Sequence, residues 1–346
     1  MKKILKAAVS FLAVGLALTG CGNQEAGSNS DSASGTENKA EENKSGEQTV
    51  YTAVLLPNDG GELGKENEAI IEEMNVALEP LNAKVDYQVA DDYSVVSEAI
   101  LSGTGQISIG SGATYVKARM ENEKVIPILT YAPDGNLEKA GYTSYIGTNK
   151  SHAKDFEGLS DKEKLQKLKG QSFSFVSATS TSGRVVPTTT LWETFGPEGS
   201  GEVKEKAKIF EATDKDGGIF SQVQFAGSHP ASVELIANDR VYAGAYCCDY
   251  AQKAGKENDI EIVYQQQVPG DPIWINSENM QQEHIDAIIK HFTELTPENA
   301  KSDVLFAPEG QKGGEGSGYY LNNNDRYIAV KADYYDILEK MFKDEM

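Results

Sequence analysis

The sequence has 346 residues, 39% of them hydrophobic, enough for two domains of ordinary size, each with a packed core. Lys and Arg number 32 against 53 Asp and Glu, a formal charge of −21, so the chain lacks the basic stripes that neutralise nucleic-acid phosphates, and no nucleic-acid partner is expected. Three cysteines and four histidines exclude a disulfide framework and leave few soft ligands, so neither a metal centre nor a cofactor is expected.

Lys2, Lys3 and Lys6 precede an apolar run over residues 7–18, which ends in Leu18-Thr19-Gly20-Cys21. This is the pattern of an export signal. A run of about 12 apolar residues is too short to cross a bilayer core that needs roughly 20. The last four residues resemble the lipobox of bacterial lipoproteins, in which the cysteine becomes the lipidated first residue, so Cys21 is the expected lipidation site at the end of a signal covering residues 1–21. Residues 22–49 are Gly, Ser, Asn, Glu and Lys with almost no apolar side chain, which predicts a disordered tether. The folded body then begins near Val50, at the outer face of the cytoplasmic membrane and attached to it only by lipid.

Within the body, residues 49–56 read as a β-branched strand, and residues 66–81 carry Ile70, Ile71, Met74 and Leu78 at helical spacing. Residues 84–89 read as a strand, 95–101 as a helix, 106–109 as a strand, 114–122 as a helix and 125–131 as a strand. This rhythm predicts a parallel sheet with helices on both faces. Past Gly135, Gly141 and Gly147 a second series begins: strand 172–176, helix 184–195, strand 208–210, helix 231–238, strands 241–245 and 261–268. Helices at 283–294 and 333–342 close the chain. The expected fold class is α/β, with two open α/β lobes that would turn strand ends and helix N-termini towards a shared cleft, where anions are readily held.

Residues 173–187 are the most informative segment. A strand runs into Ser180-Thr181-Ser182-Gly183, and a helix follows with Pro187 near its first turn. The hydroxyls, together with the open amides of a first helical turn, have the chemistry of an anion cradle. The plainer reading is that one hydroxyl caps the helix and the others face water.

Several segments in order resemble the phosphonate-binding proteins of ABC importers, within the class II periplasmic-binding-protein-like fold. They are Ala90-Asp91-Asp92-Tyr93, Thr114-Tyr115-Val116-Lys117-Ala118, Ser180-Thr181-Ser182-Gly183 with Pro187, His229, and Pro269-Gly270-Asp271-Pro272-Ile273. The resemblance covers residues 50–346. It implies a non-enzymatic solute-binding subunit, acting as a monomer with a cognate permease and ATPase, that captures a phosphonate or a related phosphorus oxyanion (phosphite or phosphate) by hinge closure. It implies a ligand held by Tyr93, Ser180, Thr181, Ser182, Gly183 and His229, with Asp249 and Asp271 as acceptors for a cationic or protonated substituent. Such a ligand is a tetrahedral anion best met by converging neutral donors. The implied crossovers lie near residues 145–147 and 268–271, giving one lobe from 50–146 plus 269–346 and a second from 147–268.

Two departures bear on the ligand. Asp249 stands where the resemblance puts a longer Glu, and Gly110-Ser111 replaces an aromatic residue followed by Gly, which removes a wall of the pocket. The adjacent Cys247 and Cys248 permit at most a strained vicinal disulfide and are expected to be free, mostly buried thiols. The Gly-rich stretch 309–318 lacks the ending of a phosphate-binding loop and reads as a mobile surface loop. A tethered hydrolase or an interaction protein on the same fold would share this layout, but no G-x-S-x-G or HExxH motif is present.

Overall fold

Side chains of β1 (Thr49–Leu55) alternate between two faces: Tyr51, Ala53 and Leu55 enter one hydrophobic cluster and Val54 another. This computed structural model describes residues 46–57, 63–314 and 318–343; the expected signal, Cys21 and the tether as far as residue 45 lie outside the described residues. The chain continues through α1 (Lys65–Leu78), β2 (Ala83–Val89), α2 (Tyr93–Ser102), β3 (Ile107–Ile109), α3 (Gly112–Glu121) and β4 (Val125–Pro133). It then forms β5 (Tyr142–Asn149), α4 (Asp161–Gln166), β6 (Ser172–Phe175), α5 (Val186–Phe195), α6 (Lys208–Glu211), β7 (Gln222–Phe225) and α7 (His229–Ala237). After β8 (Ala243–Cys247), α8 (Tyr250–Lys253) and β9 (Ile260–Val268), it closes with β10 (Ile273–Asn276), α9 (Gln282–Thr293), β11 (Asp325–Ala329) and α10 (Asp336–Lys343).

The strands form two sheets, ordered β11-β4-β10-β3-β1-β2 and β7-β6-β8-β5-β9. Both are mixed, where the strand-helix rhythm predicts parallel sheets. β1 runs parallel to β2 and β3, but the returning β10 slots antiparallel between β3 and β4, and β11 pairs antiparallel with β4. In the second sheet β6 is parallel to β7 and β8, while β5 is antiparallel to β8 and β9.

Two expectations are corrected here. Residues 208–210 are helical, within α6, and the strand role passes to β7 at the sheet edge; three residues show no period by which to tell the two apart. β5 pairs along its length with β8 on one side and β9 on the other. The change from first to second sheet therefore falls within residues 134–141, ahead of the boundary expected at 146.

The first sheet is covered on both faces. Ile70, Met74 and Leu78 of α1 pack with Ile288 and Phe292 of α9 on one side, and Val96 of α2, Tyr115 of α3 and Leu338 of α10 lie on the other. Glu73, fully buried on α1, ties these layers to α9: it accepts from His291 Nε2 at 2.8 Å and from the Ser302 and Lys301 amides. Burial works to raise the Glu73 pKa, and these donors outweigh it and hold the carboxyl below its ordinary range.

Both crossovers meet one side chain. Tyr334 Oη donates to Ala140 O at 3.0 Å and accepts from the Gly270 amide at 3.1 Å, while Tyr335 Oη donates to Gly270 O at 2.8 Å. Gly270 fits because a Cβ there would sit 2.7 Å from Thr130 Oγ1. α10 also touches the second lobe: the Arg184 guanidinium lies 4.3 Å from the Phe210 ring centre and 5.4 Å from that of Phe342, and Lys206 Nζ donates to Met341 O.

Candidate functional site

A cavity of about 990 Å³ opens between the sheets, at the upper end of the range for small-molecule sites. Its lining draws on both lobes, including Tyr93, Ser111, Tyr142, Ser180, Thr181, His229, Cys247, Cys248, Asp249 and Asp271.

Its closed end is built from helix starts. Ser180 precedes a single π turn, Thr181–Val185, that leads into α5, and its Oγ accepts from the Gly183 amide at 3.1 Å. The Thr181 and Ser182 amides, at the start of that turn, meet no acceptor among the described residues. Facing them is the start of α3, capped by Ser111 in a left-handed conformation with φ 46°. Ser111 Oγ reaches Thr179 O at 3.1 Å, Thr114 Oγ1 reaches the same carbonyl at 3.1 Å, and the Ala113 amide donates to Thr181 Oγ1 at 2.9 Å. The two lobes thus touch at the starts of two helices: the first α3 amides are taken up by Ser111 and Thr181, while those of Thr181 and Ser182 stay open, and backbone N–H groups there gather positive potential.

Tyr93 and His229 are the first residues of α2 and α7, which brings two further helix starts to the cavity. His229 Nε2 stands 3.5 Å from Ser180 Oγ and 3.5 Å from Cys247 Sγ, with the ring stacked on Tyr250 at a 7° interplanar angle. Asp271 lines the same space, half-buried, with Oδ1 lacking a hydrogen-bond partner. Burial and the neighbouring Cys247 charge push its pKa up to about 7, against the opposing pull of His229, the Gly112 amide and Tyr142. Burial also acts upward on the Cys247 thiol, but Cys248 and His229 outweigh it and bring it down to about 5.

Of the eight residues expected at the site, Tyr93, Ser180, Thr181, His229, Asp249 and Asp271 line the cavity. Ser182 and Gly183 stand behind it. Ser182 O accepts from Ser144 Oγ at 2.7 Å, and Gly183 holds the turn, since a Cβ there would lie 2.4 Å from Val176 Cβ. Asp249 is exposed at the rim, so its carboxylate keeps access to water. Gly110, where the resemblance implies an aromatic ring, has φ 88° and gives its carbonyl to Trp274 Nε1 at 3.0 Å.

Sequence reasoning did not single out Tyr131, Tyr142, Tyr145 or Tyr320 as wall residues, nor Ser111 as a link between lobes. The Gly-rich stretch read as a surface loop also reaches the site, since Gly313, Gly314 and Gly318 line the cavity and a Cβ on Gly314 would approach Asp249 to 3.3 Å. No period marks the wall tyrosines, since β4 holds one aromatic, Tyr131, and the two of β5, Tyr142 and Tyr145, are three residues apart.

The sequence profile of a family described as "ABC transporter, phosphonate, periplasmic substrate-binding protein" matches residues 53–313. The chain belongs to that family. It is a family of substrate-binding transport proteins, not of enzymes. A curated relative, the phosphate-import protein PhnD of Mycolicibacterium smegmatis, is 26% identical over 197 residues, 57% of this chain. The match spans 54% of that relative, about half its length. Among solved structures, PhnD1 from Prochlorococcus marinus in complex with methylphosphonate superposes with a TM-score of 0.63 at 16% identity, covering 86% of this chain and 99% of that one. A binding-protein component of an ABC phosphonate transporter from Pseudomonas aeruginosa gives 0.61 at 15% identity, with 86% of each chain covered. At these identities the likeness is one of fold, and the fold is that of class II periplasmic binding proteins: two mixed α/β lobes joined by two crossovers.

Proposed function

We propose that this chain is the extracytoplasmic solute-binding subunit of an ABC importer, lipid-anchored through Cys21, that captures a phosphonate or a related phosphorus oxyanion by closing its lobes over it. The observation that carries this reading is the convergence at one end of the cavity of the open Thr181 amide, the hydroxyls of Ser180 and Thr181, and His229. These donors suit a tetrahedral anion whose oxygens only accept. Tyr93 supplies a further side chain from the first lobe, while Ser182 contributes its amide and Gly183 the shape of the turn. Asp271 inside and Asp249 at the rim are the acceptors for a protonated or cationic substituent. The names of the relatives, phosphate import in one and bound methylphosphonate in another, support the same ligand class. A monomer with the first lobe ending near residue 141, working with a membrane permease and its ATPase, completes the reading.

Titration calorimetry against methylphosphonate, 2-aminoethylphosphonate, phosphite and phosphate tests it. One-to-one binding without turnover of at least one of them is expected. Silence across the panel overturns the ligand reading, and release of product would instead mark a hydrolase. Incorporation of labelled fatty acid into the full chain, lost in Cys21→Ala, tests the anchor.

A further inference from the structure

Cys247 ends β8, and neighbouring side chains on a strand point to opposite faces. Here they do not. Cys248 adopts a left-handed backbone, φ 54°, a conformation that costs a residue with a β-carbon free energy and needs support from its surroundings. Its effect is to fold the second thiol back beside the first: Cys248 Sγ lies 3.0 Å from Cys247 Sγ, and both residues line the ligand cavity. Cys247 Sγ is also 3.5 Å from His229 Nε2, the atom that stands 3.5 Å from Ser180 Oγ in the anion cradle.

We infer that Cys247 and Cys248 form a redox site inside the cavity, closing reversibly to a vicinal disulfide by exchange with low-molecular-weight disulfides and thereby strengthening anion binding. The effect on binding rests on the ligand reading proposed above; the exchange chemistry does not. In the exchange, the Cys247 thiolate attacks one sulfur of R–S–S–R, forming a Cys247–S–S–R bond and releasing RS⁻. Cys248 then loses its proton and attacks Cys247 Sγ, which closes the ring and expels the second RS⁻. The proton from Cys248 ends on one released thiolate, the other takes its proton from water, and the two electrons lost by the protein reduce the small disulfide to two thiols. A vicinal ring is strained, so the bond is of the easily reduced kind that suits a switch. The thiol already has the acidity of a ready nucleophile.

The link to binding is a competition for one hydrogen. Nε2 of His229 carries a single N–H at most, and in the reduced chain the Cys247 thiolate takes it. A disulfide sulfur is uncharged and a poor acceptor. Closure therefore turns that N–H towards Ser180 and removes a negative charge from beside the place where an anion would sit.

The experiment uses the full chain, equilibrated first with a thiol reductant and then with increasing oxidised glutathione, with peptide mass mapping and calorimetric titration of methylphosphonate at each step. Expected is the loss of two hydrogens from the peptide holding both cysteines, full reversal by reductant, and binding about tenfold or more tighter in the oxidised state. Cys247→Ser should bind at the tighter level regardless of oxidant, whereas Cys248→Ser, which lacks the resolving thiol, should retain glutathione as a mixed disulfide on Cys247 and never lose two hydrogens. In the wild type, glutathione retained as a mixed disulfide, a bond between two chains, or thiols untouched by oxidant overturns the redox site; closure with equal affinity in both states overturns the coupling. Intramolecular closure without methylphosphonate binding in either state establishes the redox site while overturning its coupling to this ligand. Should Cys247→Ser fail to fold, the wild-type titration and Cys248→Ser still decide the matter.

Discussion

Thr181 Oγ1 accepts the amide hydrogen of Ala113 at 2.9 Å, so a side chain of the second lobe satisfies a backbone donor at the start of α3 in the first. The hydroxyl also lies 3.4 Å from Ser111 Oγ, and on the proposed reading its proton turns to an anion in the cavity. Thr181→Val keeps the shape, strands the Ala113 amide and removes one donor; methylphosphonate binding should weaken by about 10- to 100-fold, with Thr181→Ser restoring most of it. Calorimetry reads this directly, and equal affinity in Thr181→Val and wild type would remove Thr181 from the cradle.

Gly183 governs the cradle from behind. A methyl group added there lands 2.4 Å from Val176 Cβ, and both positions are buried. Gly183→Ala should therefore cost about 1–3 kcal/mol of stability through overpacking and also weaken ligand binding. Val176→Ala keeps Cβ but removes Cγ2, which the new methyl also meets at 2.4 Å, so in combination it should recover part of the Gly183→Ala deficit, seen as a non-additive urea midpoint. Strict additivity would disprove the contact.

Asp271 makes the fold lose stability as the pH rises towards neutrality. Its pKa in the folded chain, about 7, lies above the ordinary 3.8, so between these values the folded state keeps a proton that the unfolded chain has released. Its contribution is most favourable below the unfolded value and falls as pH rises to about 7. The melting temperature of the ligand-free protein should drop between about pH 5 and about pH 8 by more in wild type than in Asp271→Asn. The same drop in both proteins would show a carboxyl titrating in its usual range.

Glu73 works with the opposite sign. Its folded pKa is depressed, so the stability it contributes is fully present above the unfolded value of 4.5 and disappears as acid carries the pH down through the folded value. His291→Ala leaves the buried carboxylate with the Lys301 and Ser302 amides alone and should cost about 1–3 kcal/mol at neutral pH. Urea titrations should show this deficit narrowing in acid, and a deficit independent of pH would assign the loss to packing.

Elements with strong periodicity were readable in advance. α1 carries Ile70, Ile71, Met74 and Leu78 on its buried side, and β1 alternates between two clusters, so pattern and packing agree. β5 escaped because Tyr142–Asn149 is rich in Thr, Ser and Gly and takes its stability from neighbours far along the chain. β10 was missed because Ile273–Asn276, four residues that directly follow the crossover read at 268–271, are too short to show a period, although Trp274 is fully buried there. The hydroxyl run at 180–182 was legible as the turn that opens a helix, and two of its residues, Ser180 and Thr181, line the cavity. That Thr181 would meet Ala113, or that Cys248 would turn back onto Cys247, was not, since the first joins residues 68 apart and the second depends on one backbone angle.

A door on two hinges swings freely only when the pins share a line. The phenol of Tyr334 holds the Ala140 carbonyl and the Gly270 amide to a single oxygen, which aligns the pins. In the closing motion proposed above, that shared oxygen would oppose twisting and sliding of the lobes and steer Ser111 to Thr179 along one arc.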